Sequence, residues 1–228
     1  MAENTLVPLD KYLKTGAHIG TKFKTGDMKR YIFKKRKDGL NVLDVENIDV
    51  KIRIAAEFIS GFDLERAIIV SRRAYGQKPT KEFAKAIGAR AILGRFVPGT
   101  FTNPLGKEFI EPSIVIVADP EVDNQAVKEA IKVKAPVVAL ASTNNYLRDI
   151  DLIIPINNKG RKSLALVYWL LAREILKKNG SIKTDEEFDD KLADFEYELK
   201  EGGEEGEDSR KERPRRDNKR SYDKKDSR

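Results

Sequence analysis

The chain has no cysteine, a single histidine, a single tryptophan and two methionines among 228 residues. Without cysteine there is no thiol nucleophile, no disulfide framework and no thiolate zinc site. An imidazole general base can only be His18, and no serine or acid stands at a spacing from it that suggests a catalytic set. Glycine is also missing where nucleotide chemistry needs it. The loop after the first core strand, Ser71-Arg72-Arg73-Ala74-Tyr75-Gly76-Gln77, has one glycine and two arginines, so no Gly-x-Gly-x-x-Gly turn can bring backbone against a pyrophosphate. No Gly-Lys-[Ser/Thr] phosphate loop occurs anywhere. Residues 1–10 lack the apolar centre of a secretory signal. The longest apolar run, residues 164–172, falls far short of the roughly 20 residues of a membrane span.

Charge is what the chain has in excess. Charged residues make up 36% of it, against about 25% in an average soluble protein. The 40% apolar content suffices for one core. The net charge of +7 is unevenly placed: residues 14–37 carry nine bases and one acid, a net +8. Residues 1–13 and 38–200 each net −1, so the bulk of the chain is nearly neutral. Residues 201–228 net +1, split into an acidic part, 201–208, and a basic part, 209–228. A short basic segment on a neutral globule is the pattern expected for contact with a phosphate backbone; a solvated, solubility-promoting face is the bland alternative.

Hydrophobic periodicity assigns the elements. Residues 6–13 have helical spacing and stop at Gly16. Asp38-Gly39, between the apolar runs Tyr31-Ile32-Phe33 and Leu40-Asn41-Val42-Leu43, signals a hairpin whose tip exposes Lys34, Lys35, Arg36 and Lys37. Asn47 is the expected cap of a helix running to Ser60. Apolar strands follow at 67–71, 91–93, 114–118, 136–140 and 152–154, with helices at 78–87, 124–133 and 159–178. Such strands joined by helices indicate an α/β fold, a doubly wound parallel sheet with strand order 2-1-3-4-5 and helices on both faces. The expected organisation is an N-terminal helix, basic loop and hairpin (1–46), an α/β core (47–180), a short helical extension (181–200) and a charged tail, disordered when free (201–228). Phe188, Leu192, Phe195 and Leu199 share one side of the extension, which suits docking on a partner surface. Gly16 and Gly20 are expected to serve a tight bend.

An open parallel sheet usually carries ligand sites at its strand C-termini, so a nucleotide- or phosphosugar-binding enzyme is the rival reading. A protein-interaction scaffold with incidental charge is a third. Asp119 ends an apolar strand, where a metal-binding or nucleophilic aspartate can sit, with Asp123 four residues on. The structural reading is that Asp119 caps the following helix or turn and that Asp123 lies on its first turn. His18 reads as a loop residue contacting backbone or phosphate.

Several segments together resemble a known family. Leu13-Lys14-Thr15-Gly16-Ala17-His18-Ile19-Gly20, Met28-Lys29-Arg30-Tyr31-Ile32-Phe33 and Arg36-Lys37-Asp38-Gly39-Leu40-Asn41-Val42-Leu43-Asp44 are similar to the opening of the S-two family of small-subunit ribosomal proteins. Arg95-Phe96-Val97-Pro98-Gly99-Thr100-Phe101-Thr102-Asn103-Pro104 looks like its central motif. Pro112-Ser113-Ile114-Val115-Ile116-Val117-Ala118-Asp119-Pro120, Glu129-Ala130, Pro136-Val137-Val138-Ala139-Leu140, Thr143-Asn144 and Ile154-Pro155-Ile156-Asn157-Asn158 complete the ordered series, over residues 6–176. The resemblance implies a flavodoxin-like sheet, no catalysis, no cofactor and no small-molecule substrate. It implies a cytoplasmic, ribosome-bound protein seated between head and body, with small-subunit rRNA and other small-subunit ribosomal proteins as partners and no membrane. Bacterial members insert a long helical hairpin after the central motif; here only residues 104–111 precede the next strand, which fits the archaeal or eukaryotic branch. The expected RNA-contacting residues are Lys22, Lys24, Lys29, Arg30, Lys34, Lys35 and Arg36, with Arg72, Arg73 and Arg95 at strand ends and turns as a second tier. Tyr31 and Phe33 could stack on bases, although alternation sends at least one of them to the core.

Overall fold

The computed structural model describes residues 5–182, 188 and 192–197. The expectations for Leu199 and for the charged tail lie outside the described residues. The elements begin with α1 (Leu9–Thr15), then an antiparallel pair, β1 (Ile32–Lys35) and β2 (Asn41–Leu43), then α2 (Val45–Ser60). The sheet follows as β3 (Ala67–Ser71), α3 (Ala74–Ile87), β4 (Arg90–Leu93), β5 (Ile114–Val117), α4 (Asn124–Lys132), β6 (Val137–Ala141), β7 (Leu152–Pro155) and α5 (Arg161–Lys178). All five of its strands are parallel, in the order β4-β3-β5-β6-β7. Counted from its first strand this is the expected doubly wound 2-1-3-4-5.

Because the central strands are apolar throughout, both faces of the sheet are core. Ala67 and Ile69, Ile114 and Ile116, and Val138 and Leu140 face the layer of α2, α3 and α5, while Ile68, Val70, Val115, Val117, Val137 and Ala139 face the side of α4. Phe96 and Phe101 extend that second core beyond α4. The β4–β5 connection, residues 94–113, contains turns but no helix, so the bacterial hairpin is absent.

The run at residues 164–172 explains the outermost layer. α5 has no polar face over this stretch, and Leu164 to Ala172 are all buried. A helix apolar on every side has to be covered on every side. α2 and α3 flank it, and α1 adds cover. Phe188 and Phe195 close it: both are buried, the Trp169 and Phe188 rings stack at 6.4 Å, and Trp169 Nε1 donates to the Phe188 carbonyl at 2.9 Å. The expected partner-docking side of this extension therefore packs on the chain's own α5.

Several helix starts differ from expectation, α1 beginning at Leu9 rather than at residue 6. Asp44, not Asn47, caps α2: its Oδ1 accepts from Glu46 N, and Asn47 Nδ2 donates back to Asp44 Oδ2 at 2.8 Å. α3 starts at Ala74 rather than at residue 78, and Pro79 lies within it. Pro79 lies past the first turn, so the Tyr75 carbonyl four residues back receives no N–H from it and α3 gives up one intrahelical bond there. Gly76 lets this turn press against β3, since a Cβ there would stand 2.4 Å from Ser71 Oγ.

Truncating Phe188 to Ala should destabilise the isolated chain by about 3 kcal/mol, read as a lower urea midpoint. A partner-docking role would leave the free chain's midpoint unchanged.

Candidate nucleic-acid interface

In an open α/β sheet the ligand crevice lies beyond the strand C-termini, where strand order reverses. Here that point is between β3 and β5, and it is filled by the chain's own side chains. Asp119, fully buried, follows β5. Its Oδ2 accepts from Arg73 Nε at 2.8 Å and from Arg73 Nη2, while its Oδ1 accepts from Asn145 Nδ2 and Glu121 N, each at 3.0 Å. Asp123, also buried, accepts from Arg72 N and Asp119 N. Asn145 takes a bond from Ser142 N at 2.7 Å and one from Asn158 Nδ2 at 3.1 Å. The two carboxylates are thus occupied by backbone and neighbours: Asp119 caps the turn after β5 through Glu121 N, while Asp123 stands at the N-cap position of α4 rather than on its first turn and makes no side-chain cap bond there. No group of three metal-ligating side chains occurs among the described residues. Burial pushes the Asp123 carboxyl up to about 7, against the lowering effect of its two backbone donors; the Asp119 charge adds to the rise and Arg73 opposes it.

The basic segment is fastened across the next loop, after β6. Thr143 is the clamp. Its Oγ1 accepts from Thr21 N at 2.8 Å and donates to the Phe23 carbonyl at 3.0 Å, and its carbonyl accepts from Thr25 N at 3.0 Å. Thr25 Oγ1 donates to the Asn145 carbonyl, and Asp27 accepts from Leu147 N. From the other side the buried Asn41 donates to the carbonyls of Thr21 and Lys22. Residues 18–21 also run along β2, with Leu43 N donating to the His18 carbonyl and Gly20 N to that of Asn41. His18 contacts backbone, its Nδ1 lying 3.4 Å from the Tyr12 carbonyl. Gly16 takes the left-handed conformation that ends α1, as a bend requires, but Gly20 serves another purpose. A Cβ on Gly20 would stand 2.4 Å from Thr143 Cγ2 and 2.8 Å from the Asn41 carbonyl. Glycine is there for close packing of the strap on its clamp.

Apart from the Asp27 carboxylate these anchors are neutral, and none of them pairs with a basic side chain of the strap. Among the described residues, Lys22, Lys24, Lys29, Lys34 and Lys35 are all exposed and form no ion pair. Arg30 is exposed and its guanidinium lies 5.0 Å from the Tyr31 ring centroid. Arg36 reaches Asp38 at 3.4 Å, both about half exposed. A bulge at Phe33 breaks the strand alternation, so Phe33, Lys34 and Lys35 all face outward. Of the two aromatics, Tyr31 is core and Phe33 is 68% exposed. Arg72 and Arg95 are exposed after β3 and β4, at the same edge of the parallel sheet. Arg73 alone is half-buried, its guanidinium committed to Asp119.

The central motif is held from behind by Glu129, which the sequence shows only as part of a pattern. Its buried carboxylate accepts from Gly99 N at 2.7 Å, Gln125 Nε2 at 2.8 Å and Phe101 N at 3.1 Å, with Thr102 Oγ1 at 3.4 Å. Burial alone would raise its pKa, but these donors together hold it below the usual carboxylate value. Sequence reasoning misses Tyr146 and Arg148, an aromatic and an arginine in the loop after β6; that loop's position at the strand C-termini is the available signal. Arg148 joins Gly26, Asp27, Lys29, Arg30 and Leu147 around an open hollow of about 900 Å³.

Gly20→Ala should cost about 1–3 kcal/mol and speed hydrogen exchange at the Thr21 and Thr25 amides; unchanged exchange there would contradict the close-packing role. The raised pKa of Asp123 has its own signature. The native state binds the extra proton between about pH 4 and 7, so stability falls as pH rises through that window and is level above it. Asp123→Asn should flatten that fall in urea midpoints measured from pH 4 to 8, and an equally steep fall in the variant would refute the assignment.

Comparison with known proteins identifies the family. The family described as Ribosomal protein S2 matches residues 12–108 and 105–178. The small ribosomal subunit protein uS2 of Staphylothermus marinus is 50% identical over 195 residues, covering 86% of this chain and 89% of that protein. The chain belongs to the ribosomal protein S2 family, of the archaeal type, whose members are structural and non-enzymatic components of the small ribosomal subunit.

Proposed function

We propose that the chain binds small-subunit rRNA through its clamped basic strap and hairpin, and that this seats it between head and body of the cytoplasmic ribosome, beside other small-subunit proteins, in support of subunit assembly. The observation that carries the RNA reading is the fixing of the most basic segment through neutral hydrogen bonds, which leaves Lys22, Lys24, Lys29, Lys34 and Lys35 exposed and outside any ion pair among the described residues. A backbone-held row of cations on a nearly neutral core suits a phosphate chain better than a single small anion. Each phosphate neutralised releases counterions, so affinity should fall steeply with salt. The parallel sheet adds Arg72 and Arg95 on the same edge, since the loops after all its strands emerge together. The seat between head and body and the protein neighbours rest on the family resemblance. No described helix is long and apolar enough to cross a membrane.

Replacing Lys22, Lys24, Lys34 and Lys35 together by Ala should leave the fold intact and impair incorporation into small subunits. The logarithmic salt slope of rRNA binding should fall by about one for each phosphate no longer neutralised. Normal incorporation with an unchanged slope would contradict the proposal.

A further inference from the structure

The loop after β6 does more than clamp the strap. It presents two side chains outward, and neither has a structural task. Tyr146 is 75% exposed. The Arg148 side chain is 90% exposed, and its partner among the described residues is its sequence neighbour Asp149, at 3.6 Å. Arg148 stands between two hollows. One, of about 900 Å³, also has Lys29 and Arg30 from the strap in its walls. The other, of about 460 Å³, is lined by Tyr146 and by Lys128 of α4. Acids line both hollows: Asp27 stands with Lys29, Arg30 and Arg148 in the first, which stays net positive, while Glu121 and Asp149 balance Lys128 and Arg148 in the second. The loop itself is fixed, because Asn145 is buried in the Asp119 network and Leu147 N is bonded to Asp27. Asp149 adopts φ 65°, so the chain turns sharply just after Arg148.

We infer that Tyr146 and Arg148, with Lys29 and Arg30, form a pocket for one unpaired RNA nucleotide: a phosphate in the cationic hollow and the base stacked on the Tyr146 ring. An exposed aromatic on a fixed loop, joined through Arg148 to the adjoining hollow of Lys29 and Arg30, matches recognition of splayed-out bases, which stack on aromatic faces while the backbone is held by cations. A paired helix offers no free base face, so the pocket distinguishes unpaired from duplex RNA where the strap does not. This inference rests on the RNA-binding reading above and adds the kind of RNA element recognised.

The test uses the full chain, small-subunit rRNA, and a short mixed-sequence RNA offered single-stranded and as a duplex. Tyr146→Ala should weaken single-strand binding about tenfold, leave duplex binding and the salt slope unchanged, and be rescued by Tyr146→Phe. Arg148→Ala should lower the salt slope by about one. In Tyr146→Trp, single-stranded RNA should quench the new indole emission and the duplex should not; the one native tryptophan, Trp169, is buried. Equal binding of both RNAs by Tyr146→Ala and the parent would overturn the pocket. If the four-lysine strap variant has meanwhile lost RNA affinity, the strap reading survives that failure; if it too binds as the parent does, both readings fall. Capture of an acidic peptide at Tyr146 with RNA binding untouched would also overturn the inference.

Discussion

The structure depends on one constraint: a strongly basic strap must be held against the core without its charge being neutralised. Ion pairs to core acids would hold it firmly, but they would cancel the charge. The chain uses neutral hydrogen bonds instead. Thr143, Asn41, Thr25 and the backbone between them fasten residues 20–25, and Gly20 permits the close approach. Apart from Asp27, which takes Leu147 N, the fastening acids lie inside the core. Asp119 takes Arg73 inside the crevice, and Glu129 ties down the central motif from within. This division keeps a nearly neutral globule beneath a free row of cations.

The same division accounts for a ligand-binding topology without a ligand site. The reversal between β3 and β5 places a crevice at the sheet edge, and α/β enzymes use that crevice. Here Arg73, Asp119, Asp123 and Asn145 fill it and satisfy one another. The groups that other folds of this class offer to a nucleotide serve here to fix the loop that anchors the strap. The filled crevice becomes a platform for the loop that anchors the strap.

Local chemistry is readable in the sequence, and pairing across long separations is not. Apolar runs of strand length indicate the sheet and its order, and Asp38-Gly39 marks the hairpin. The strap reads as irregular loop because its order comes from Thr143, 122 residues away from Thr21. Arg72 and Arg73 look alike in sequence, yet only Arg73 meets Asp119, 46 residues on, and is withdrawn from the surface. Phe188 and Phe195 have the spacing of a docking face. Their true partner is the unusually apolar α5, whose lack of a polar side is visible in the sequence without saying what covers it. Asn47 has the chemistry of a cap, but Asp44 holds the position because it is the last extended residue before the helix.

The central claim is that the clamped strap is the RNA-facing surface. Amine-reactive footprinting of the lysines, in the free chain and in assembled small subunits, tests it most directly. The account predicts that Lys22, Lys24, Lys29, Lys34 and Lys35 react readily in the free chain and become protected on assembly, well beyond exposed core lysines such as Lys81 and Lys132. Strap lysines that stay reactive in the subunit, or protection spread evenly over the core, would contradict it.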